Sequence, residues 1–268
     1  MDKENIPKSE LNARLKPNNK NKPAFGMKKY SKILMIMATI LLIACTFDST
    51  KTKKDFTITD VNLKTDDNIN IKAAFYNGRN GMPSIILLHM LDGSRNDWND
   101  FAVSLQSIGY TVISIDLRGH GESGLKWADF SESDFNKMVF DVKSAKDFLA
   151  AKNSGNKIAI IGASIGANTA LNFAVMDDSV ETIILLSPGL DYRGVKTKES
   201  IKKFKNPILI AASEDDSYSA ESSKTLNSLS KNSVLKIYKG SMHGTMLFGK
   251  TDIDKVIIAW LNEKLLNS

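Results

Sequence analysis

Lys157-Ile-Ala-Ile-Ile-Gly-Ala-Ser-Ile-Gly-Ala-Asn168 is the stretch on which the reading of this chain turns. Ile158 to Ile161 form a short apolar strand that runs into Gly162-Ala163-Ser164-Ile165-Gly166, and a run of small residues from Ala167 begins a helix. Gly-x-Ser-x-Gly between a strand and a helix is the pattern of a nucleophile elbow. The turn is so tight that the serine takes a strained backbone conformation, and side chains at 162 and 166 would collide with it; glycine removes the collision. The Ser164 hydroxyl then stands at the carboxyl end of the sheet, over the positive end of the following helix. As a bare pentapeptide the pattern arises by chance, so its weight comes from the strand before it and the helix after it.

Outward from this stretch, strand and helix alternate. Phe56 to Leu63 and Ile69 to Phe75 alternate at period two around a turn at Thr65-Asp-Asp-Asn68, which predicts an antiparallel hairpin. Ser84 to His89 is apolar on consecutive positions, as in a strand buried on both faces. A helix is expected from Trp98 to Ile108, a strand from Thr111 to Ile115 and a long helix from Asp134 to Lys152. After the elbow come strands Thr182–Leu186 and Pro207–Ala212, a helix Ser219–Leu229, a strand Val234–Tyr238 and a last helix from Asp252 to about Leu266. This is an α/β domain over residues 55–268 with a mostly parallel eight-stranded sheet flanked by helices. The twenty or so residues between Leu186 and Ile208 leave room for a short helix near Lys198 to Phe204 and for no sizeable lid, so an open site is expected.

The chain has 268 residues and a net charge of +6, but residues 1–54 hold 12 Lys/Arg against 4 Asp/Glu. The domain that follows is close to neutral, which speaks against nucleic acid as a partner. Residues 1–26 are polar and aperiodic and read as disordered. Residues 27–45 read as an export signal: a basic Met27-Lys28-Lys29-Tyr30-Ser31-Lys32, then a twelve-residue apolar run from Ile33 to Ala44, broken only by Thr39 and too short to span a bilayer, then Cys45. Met27 opens a self-sufficient signal and is a candidate initiator. Leu42-Ile43-Ala44-Cys45 resembles a bacterial lipobox, in which the cysteine is lipidated, and Cys45 is the only cysteine of the chain. The expectation is a lipid-anchored protein of the bacterial cell envelope, with 46–54 as a polar tether.

A serine hydroxyl is a poor nucleophile unless a base takes its proton and an acid orients the base. Of His89, His120 and His243, the last lies in Gly240-Ser-Met-His-Gly244, directly after the final strand and therefore on the sheet edge where Ser164 points. The acid should follow the strand ending at Ala212, where Ser213-Glu214-Asp215-Asp216 offers three carboxylates; Asp216 has the better spacing and Asp215 is the alternative. The order Ser164, Asp216, His243 is the one expected after an elbow serine. Two backbone N–H groups should face the developing oxyanion: that of Ile165, and one from Met90-Leu91-Asp92-Gly93, for which Leu91 is favoured. His89 and His120 are expected to be structural. Trp127, Phe130, Tyr192, Tyr218, Met242 and Met246 are candidates for pocket walls.

Taken together, Leu88-His-Met-Leu-Asp-Gly-Ser94 before Trp98, Asp116-Leu-Arg-Gly-His-Gly-Glu-Ser123, Gly162-Ala-Ser-Ile-Gly166, the acidic turn 214–216 and Gly240-Ser-Met-His-Gly244 resemble the α/β-hydrolase superfamily from about residue 55 onward. The resemblance implies acyl transfer to water from a small-molecule carboxylic ester, with no metal and no cofactor. It assigns the 116–123 loop to the pocket wall. The short linker before the acid resembles small esterases and dienelactone-hydrolase-like members. Met90 and Ser213 stand where the family usually has glycine. Peptidase, thioesterase and C–C hydrolase activities use the same triad, and a lipid-anchored binding protein without turnover is the reading from another class.

Overall fold

The computed structural model describes residues 57–152 and 157–267. Residues Asp55–Ser268 form one compact unit. The expected signal segment, its Cys45 and the tether lie outside the described residues. No described helix is long and apolar enough to cross a membrane.

Strands β1 (Ile58–Lys64) and β2 (Asn70–Tyr76) form the expected hairpin, closed by Asn68 in the left-handed region. Strand β3 (Ser84–Leu88) follows, then helix α1 (Asn99–Ser107) and strand β4 (Thr111–Ile115). The single helix expected over 134–152 is two, α2 (Glu132–Asn136) and α3 (Met138–Lys152). Ser131 and Asp134 cap each other's backbone N–H groups, which starts the first helix early, and Lys137 ends it. Strand β5 (Ile158–Ala163) enters the elbow and helix α4 (Ile165–Ala174) leaves it.

Strand β6 (Val180–Leu186) is followed by a two-stranded hairpin, β7 (Asp191–Tyr192) with β8 (Val195–Lys196), and by helix α5 (Lys198–Lys203). The linker is therefore more than the short helix expected of it. Two residues per strand give too little alternation to be seen in sequence. Strand β9 (Ile208–Ser213), helix α6 (Ser217–Leu229), strand β10 (Ser233–Tyr238) and helix α7 (Ile253–Leu261), continued as a π-helical turn to Leu266, complete the chain.

The main sheet has eight strands in the order β1-β2-β4-β3-β5-β6-β9-β10. Strand β2 pairs antiparallel with β1 and β4, and every pair beyond is parallel. The consecutive apolar residues of the central strands serve two cores. Ile86, Leu88, Ile160 and Ile183 pack with α3 and α4 on one face, while Ile85, Leu87, Ile161 and Ile184 pack with α1 and α7 on the other. Parallel strands put all their carboxyl ends on one edge, so the loops after β3, β5, β6, β9 and β10 meet there.

Candidate active site

The elbow has the strain its sequence foretells. Ser164 sits at φ 55°, ψ −121°, in a region that side chains rarely adopt. A Cβ on Gly162 would lie 2.2 Å from the Gly166 carbonyl oxygen, and one on Gly166 would lie 2.5 Å from that of His89. Both glycines are thus required by backbone packed on backbone. Strand, elbow, helix and the loop after β3 lock into one unit, further tied by Ser164 N–H donating to Leu186 O at 2.8 Å.

That loop after β3 is braced from behind. His89 is fully buried; its Nδ1–H donates to Met90 O at 2.6 Å and its Nε2 accepts from Leu117 N–H at 3.0 Å. The two bonds fix one neutral tautomer, and burial lowers the ring's pKa to about 4. His120 lies tilted against His89 at 5.0 Å and stacks on Trp127 at 5.8 Å. Buried Asp116 accepts from Arg95 N–H at 2.6 Å and pairs with the Arg95 guanidinium. Arg118 pairs with Asp67 and with buried Asp141, at 2.7 and 2.8 Å. The 116–123 loop therefore buttresses the 89–95 loop and does not line the cavity, which corrects the expectation of a pocket wall. Met90, in the position of a family glycine, needs no glycine: the positive φ of this loop falls on Asp92. The Met90 side chain lies against Gly244 and Thr245 and so joins this loop to the histidine loop.

On the other side, His243 Nδ1–H donates to Asp216 Oδ2 at 2.6 Å. Asp216 ends the tight turn after β9 and is mostly buried, whereas Asp215 is exposed and its N–H is held by Gly240 O. Of the two carboxylates it is Asp216 that the turn directs at the imidazole. Ser213 at the second glycine position is fully buried with its backbone in the β9 ladder.

Several contributors were not foreseen. Ser187 Oγ accepts the Gly244 N–H at 2.9 Å, anchoring the loop that carries His243, and Ser187 itself has φ 49°. Ser219 Oγ lies 3.4 Å from His243 Nδ1 and 3.0 Å from the Tyr192 hydroxyl. The Tyr192 hydroxyl also donates to Ser187 O at 3.3 Å; burial pushes its pKa up to about 12, so it stays neutral. The signal for Ser187 was its place at the carboxyl end of an apolar strand, the same address as Ser164.

Ser164, Ile165, Leu91 and His243 share one cavity of about 360 Å3 with Met90, Asp191, Tyr192 and Arg193. Of the expected pocket walls only Tyr192 lines it. Trp127 stacks on His120, and Phe130 lies edge-on to Phe135. Tyr218 supports Tyr192 from outside, Met242 packs into the core, and Met246 is half exposed. A larger hollow of about 550 Å3 beside α1, lined by Asn96, Asp100, Phe248 and Asp254 among others, contains none of the site residues. Among the described residues no group of three or more His, Cys, Asp or Glu is placed to hold a metal ion.

The family model for serine aminopeptidase S33 matches residues 82–199. An uncharacterized protein of Mycobacterium tuberculosis is 32% identical over 108 residues, covering 40% of this chain and 29% of that protein. The 2-succinyl-6-hydroxy-2,4-cyclohexadiene-1-carboxylate synthase of Klebsiella pneumoniae is 32% identical over 109 residues, covering 39% of this chain and 37% of the synthase. The chain thus spans less than two fifths of the length of either relative. The structure of the Pyrococcus furiosus esterase Pf2001 superposes with a TM-score of 0.66 at 17% identity, covering 81% of this chain and 94% of that one. The span matched by the family model, less than half of the chain, carries the β3 loop, the elbow and the small hairpin, and the sheet that holds them is shared with a solved esterase; the chain has the α/β-hydrolase fold.

Proposed function

We propose that the protein is a serine hydrolase that cleaves a carboxylic ester of a small or medium-sized substrate through Ser164, His243 and Asp216. The observation that carries the reading is the 2.6 Å bond from His243 Nδ1–H to Asp216 Oδ2 beside a strained elbow serine in the same cavity. With Nδ1 committed to the carboxylate, Nε2 is the free basic nitrogen, and Asp216 stabilises the imidazolium that forms when Nε2 takes the serine proton. Ser164 Oγ attacks the ester carbonyl, the Leu91 and Ile165 N–H groups face the oxyanion, and collapse of the adduct expels the alcohol with the proton from His243. His243 then takes a proton from water, whose attack on the acyl-enzyme frees the acid and restores Ser164. Apolar Met90, Leu91 and Ile165 suit the acyl chain.

Turnover of 4-nitrophenyl acetate and butyrate tests this. Ser164→Ala should abolish it, and a fluorophosphonate should label Ser164 in the wild type. Asp216→Asn should cost about 10^4 in kcat, the scale of a triad acid, while Asp215→Asn stays within a few-fold. Equal slow hydrolysis by wild type and Ser164→Ala, with no labelling, rejects the reading. The S33 description of the matching family favours a second reading, an aminopeptidase on the same triad. It predicts faster release from aminoacyl 4-nitroanilides than from simple esters. We further propose that the mature protein begins at a lipidated Cys45 in the bacterial envelope. Mass spectrometry of detergent-extracted protein that finds residues before Cys45 removes that claim.

A further inference from the structure

Arg193 is the one permanent cation among the residues lining the cavity of Ser164 and His243. It occupies the first turn position of the β7–β8 hairpin, at φ 55°, followed by Gly194 at φ 83°. A two-residue turn with both φ values positive is the type that favours Asn-Gly, so arginine is held there against its backbone preference. The turn is pinned on all sides. Asp191 Oδ1 accepts Gly194 N–H at 2.8 Å, Asn136 Nδ2 donates to Gly194 O at 3.1 Å, and the Tyr218 hydroxyl bridges the Asp191 backbone at 2.8 and 3.0 Å. Buried Asn168 ties both flanks of the hairpin to α4, accepting from Gly189 N–H at 3.0 Å and donating to Val195 O at 2.7 Å.

The anchored turn therefore holds the backbone of Arg193 at the rim of the cavity, with its side chain exposed. Among the described residues its guanidinium makes no ion pair, although Arg95 and Arg118 each pair with two or more carboxylates. Asp191, the carboxylate lining the same cavity, already accepts from the turn backbone through Oδ1. An arginine with five donors in a planar fork, unpaired beside a reaction cavity, matches a carboxylate in two parallel bonds.

We propose that the preferred substrate is an ester that also carries a carboxylate, and that Arg193 is the residue that selects it. This rests on the ester-hydrolase reading above. Two matched pairs of probes separate the possible sides of the ester: monomethyl adipate against methyl hexanoate puts the carboxylate on the acyl part, and 4-acetoxybenzoate against 4-acetoxybenzamide puts it on the alcohol part. In at least one pair the wild type should favour the anion by about tenfold in kcat/KM, the low end for a hydrogen bond to a charged group. Arg193→Gln should lower the anion-to-neutral ratio about tenfold, and Arg193→Lys should keep part of it. Added salt at 0.5 M should compress the wild-type ratio, because the guanidinium is solvent-exposed. A ratio near one in both pairs, or a ratio that Arg193→Gln does not move, overturns the proposal.

A binding arm stands apart from turnover. Ser164→Ala protein titrated calorimetrically with monomethyl adipate or with 4-acetoxybenzoate should bind at least one of them, and Arg193→Gln in that background should weaken it about tenfold. Absence of binding by both, or no weakening, overturns the proposal. Binding through Arg193 without turnover of any of the esters would remove the hydrolase reading and leave the carboxylate site standing.

Discussion

The two walls of the cavity are held in different ways. The wall of Ser164 and Leu91 is set by main chain against main chain, with Gly162 meeting Gly166 and Gly166 meeting His89 at distances that exclude a side chain. The wall of His243, Asp216 and Tyr192 is hung on side chains. Ser187 holds the histidine loop, Asn168 holds both flanks of the hairpin, and Ser219 bridges Tyr192 to His243. A backbone wall tolerates no change of volume and has few alternative positions, whereas a side-chain wall can lose one bond and shift by part of an ångström. The difference predicts brittle failure on one side and graded failure on the other.

The largest effect is expected at the elbow. Gly166→Val puts a branched side chain where even a Cβ would lie 2.5 Å from His89 O. Neither the strand nor the β3 loop can retreat without breaking the central sheet. Turnover of 4-nitrophenyl butyrate should fall more than 10^2-fold, as expected for misplacement of a reacting group by about 1 Å. Urea unfolding should show a loss of about 1–3 kcal/mol, the range for overpacking. A variant that keeps activity would show that this wall is as adaptable as the other.

His89 is the side chain on which the backbone wall does depend. Its folded-state pKa of about 4 lies below the ordinary 6.5, so the neutral ring contributes stability that is complete above pH 6.5 and lost as pH falls toward 4. Between pH 7 and 5 that amounts to about 2 kcal/mol from linkage. Burial pushes Asp141 the other way, up to about 6, so its contribution grows as the pH falls through the same window. The comparison must therefore be with His89→Gln, which keeps Asp141: wild-type stability in urea should fall about 2 kcal/mol more steeply from pH 7 to 5 than that of the variant. Parallel profiles would mean that His89 is not held neutral.

The same contrast explains which parts were legible in the sequence. Backbone constraints leave glycines at fixed offsets, so Gly162, Ser164 and Gly166 declare the elbow, and period and strand order place Asp216 and His243 on its edge. Ser187, Ser219 and Asn168 act through one or two side-chain bonds to residues at least 21 positions away. Only Ser187 carries a local mark, its place at the end of an apolar strand. Strands β7 and β8 escaped because two residues carry no periodicity, and their hairpin is held by tertiary bonds from α4 and α6. The 116–123 loop misled for the opposite reason. The family resemblance placed it in the pocket wall, but Asp116 and Arg118 are buried away from the cavity because each finds a counter-charge from a distant segment.

Asn168 should give a graded loss on the second wall. Asn168→Leu keeps the volume but strands Val195 O and Gly189 N–H in a buried place, where an unpaired backbone group costs about 1–3 kcal/mol. The hairpin, not the sheet, should absorb that cost by loosening. KM for 4-nitrophenyl butyrate should rise several-fold as Tyr192 and the cavity wall lose their position, with kcat changing less and fluorophosphonate labelling of Ser164 retained. Loss of kcat and labelling together would place Asn168 with the elbow and erase the distinction drawn between the walls.

Ser187→Ala is the finest probe of the comparison. Both residues carry a Cβ, so the strain at φ 49° is the same before and after, and only the bond from Gly244 N–H to Ser187 Oγ is removed. A neutral hydrogen bond contributes about 1 kcal/mol, which corresponds to roughly a fivefold effect if it is expressed wholly in the reaction. The histidine loop retains its Asp216 bond and its contact with Met90, so the fold should hold and KM should stay near the wild-type value. A kcat about fivefold lower at constant KM would mean that Ser187 sets where His243 stands when it takes the proton of Ser164. If instead kcat and KM are untouched and only the unfolding midpoint moves, Ser187 is a strut of the loop and the side-chain wall has slack to spare.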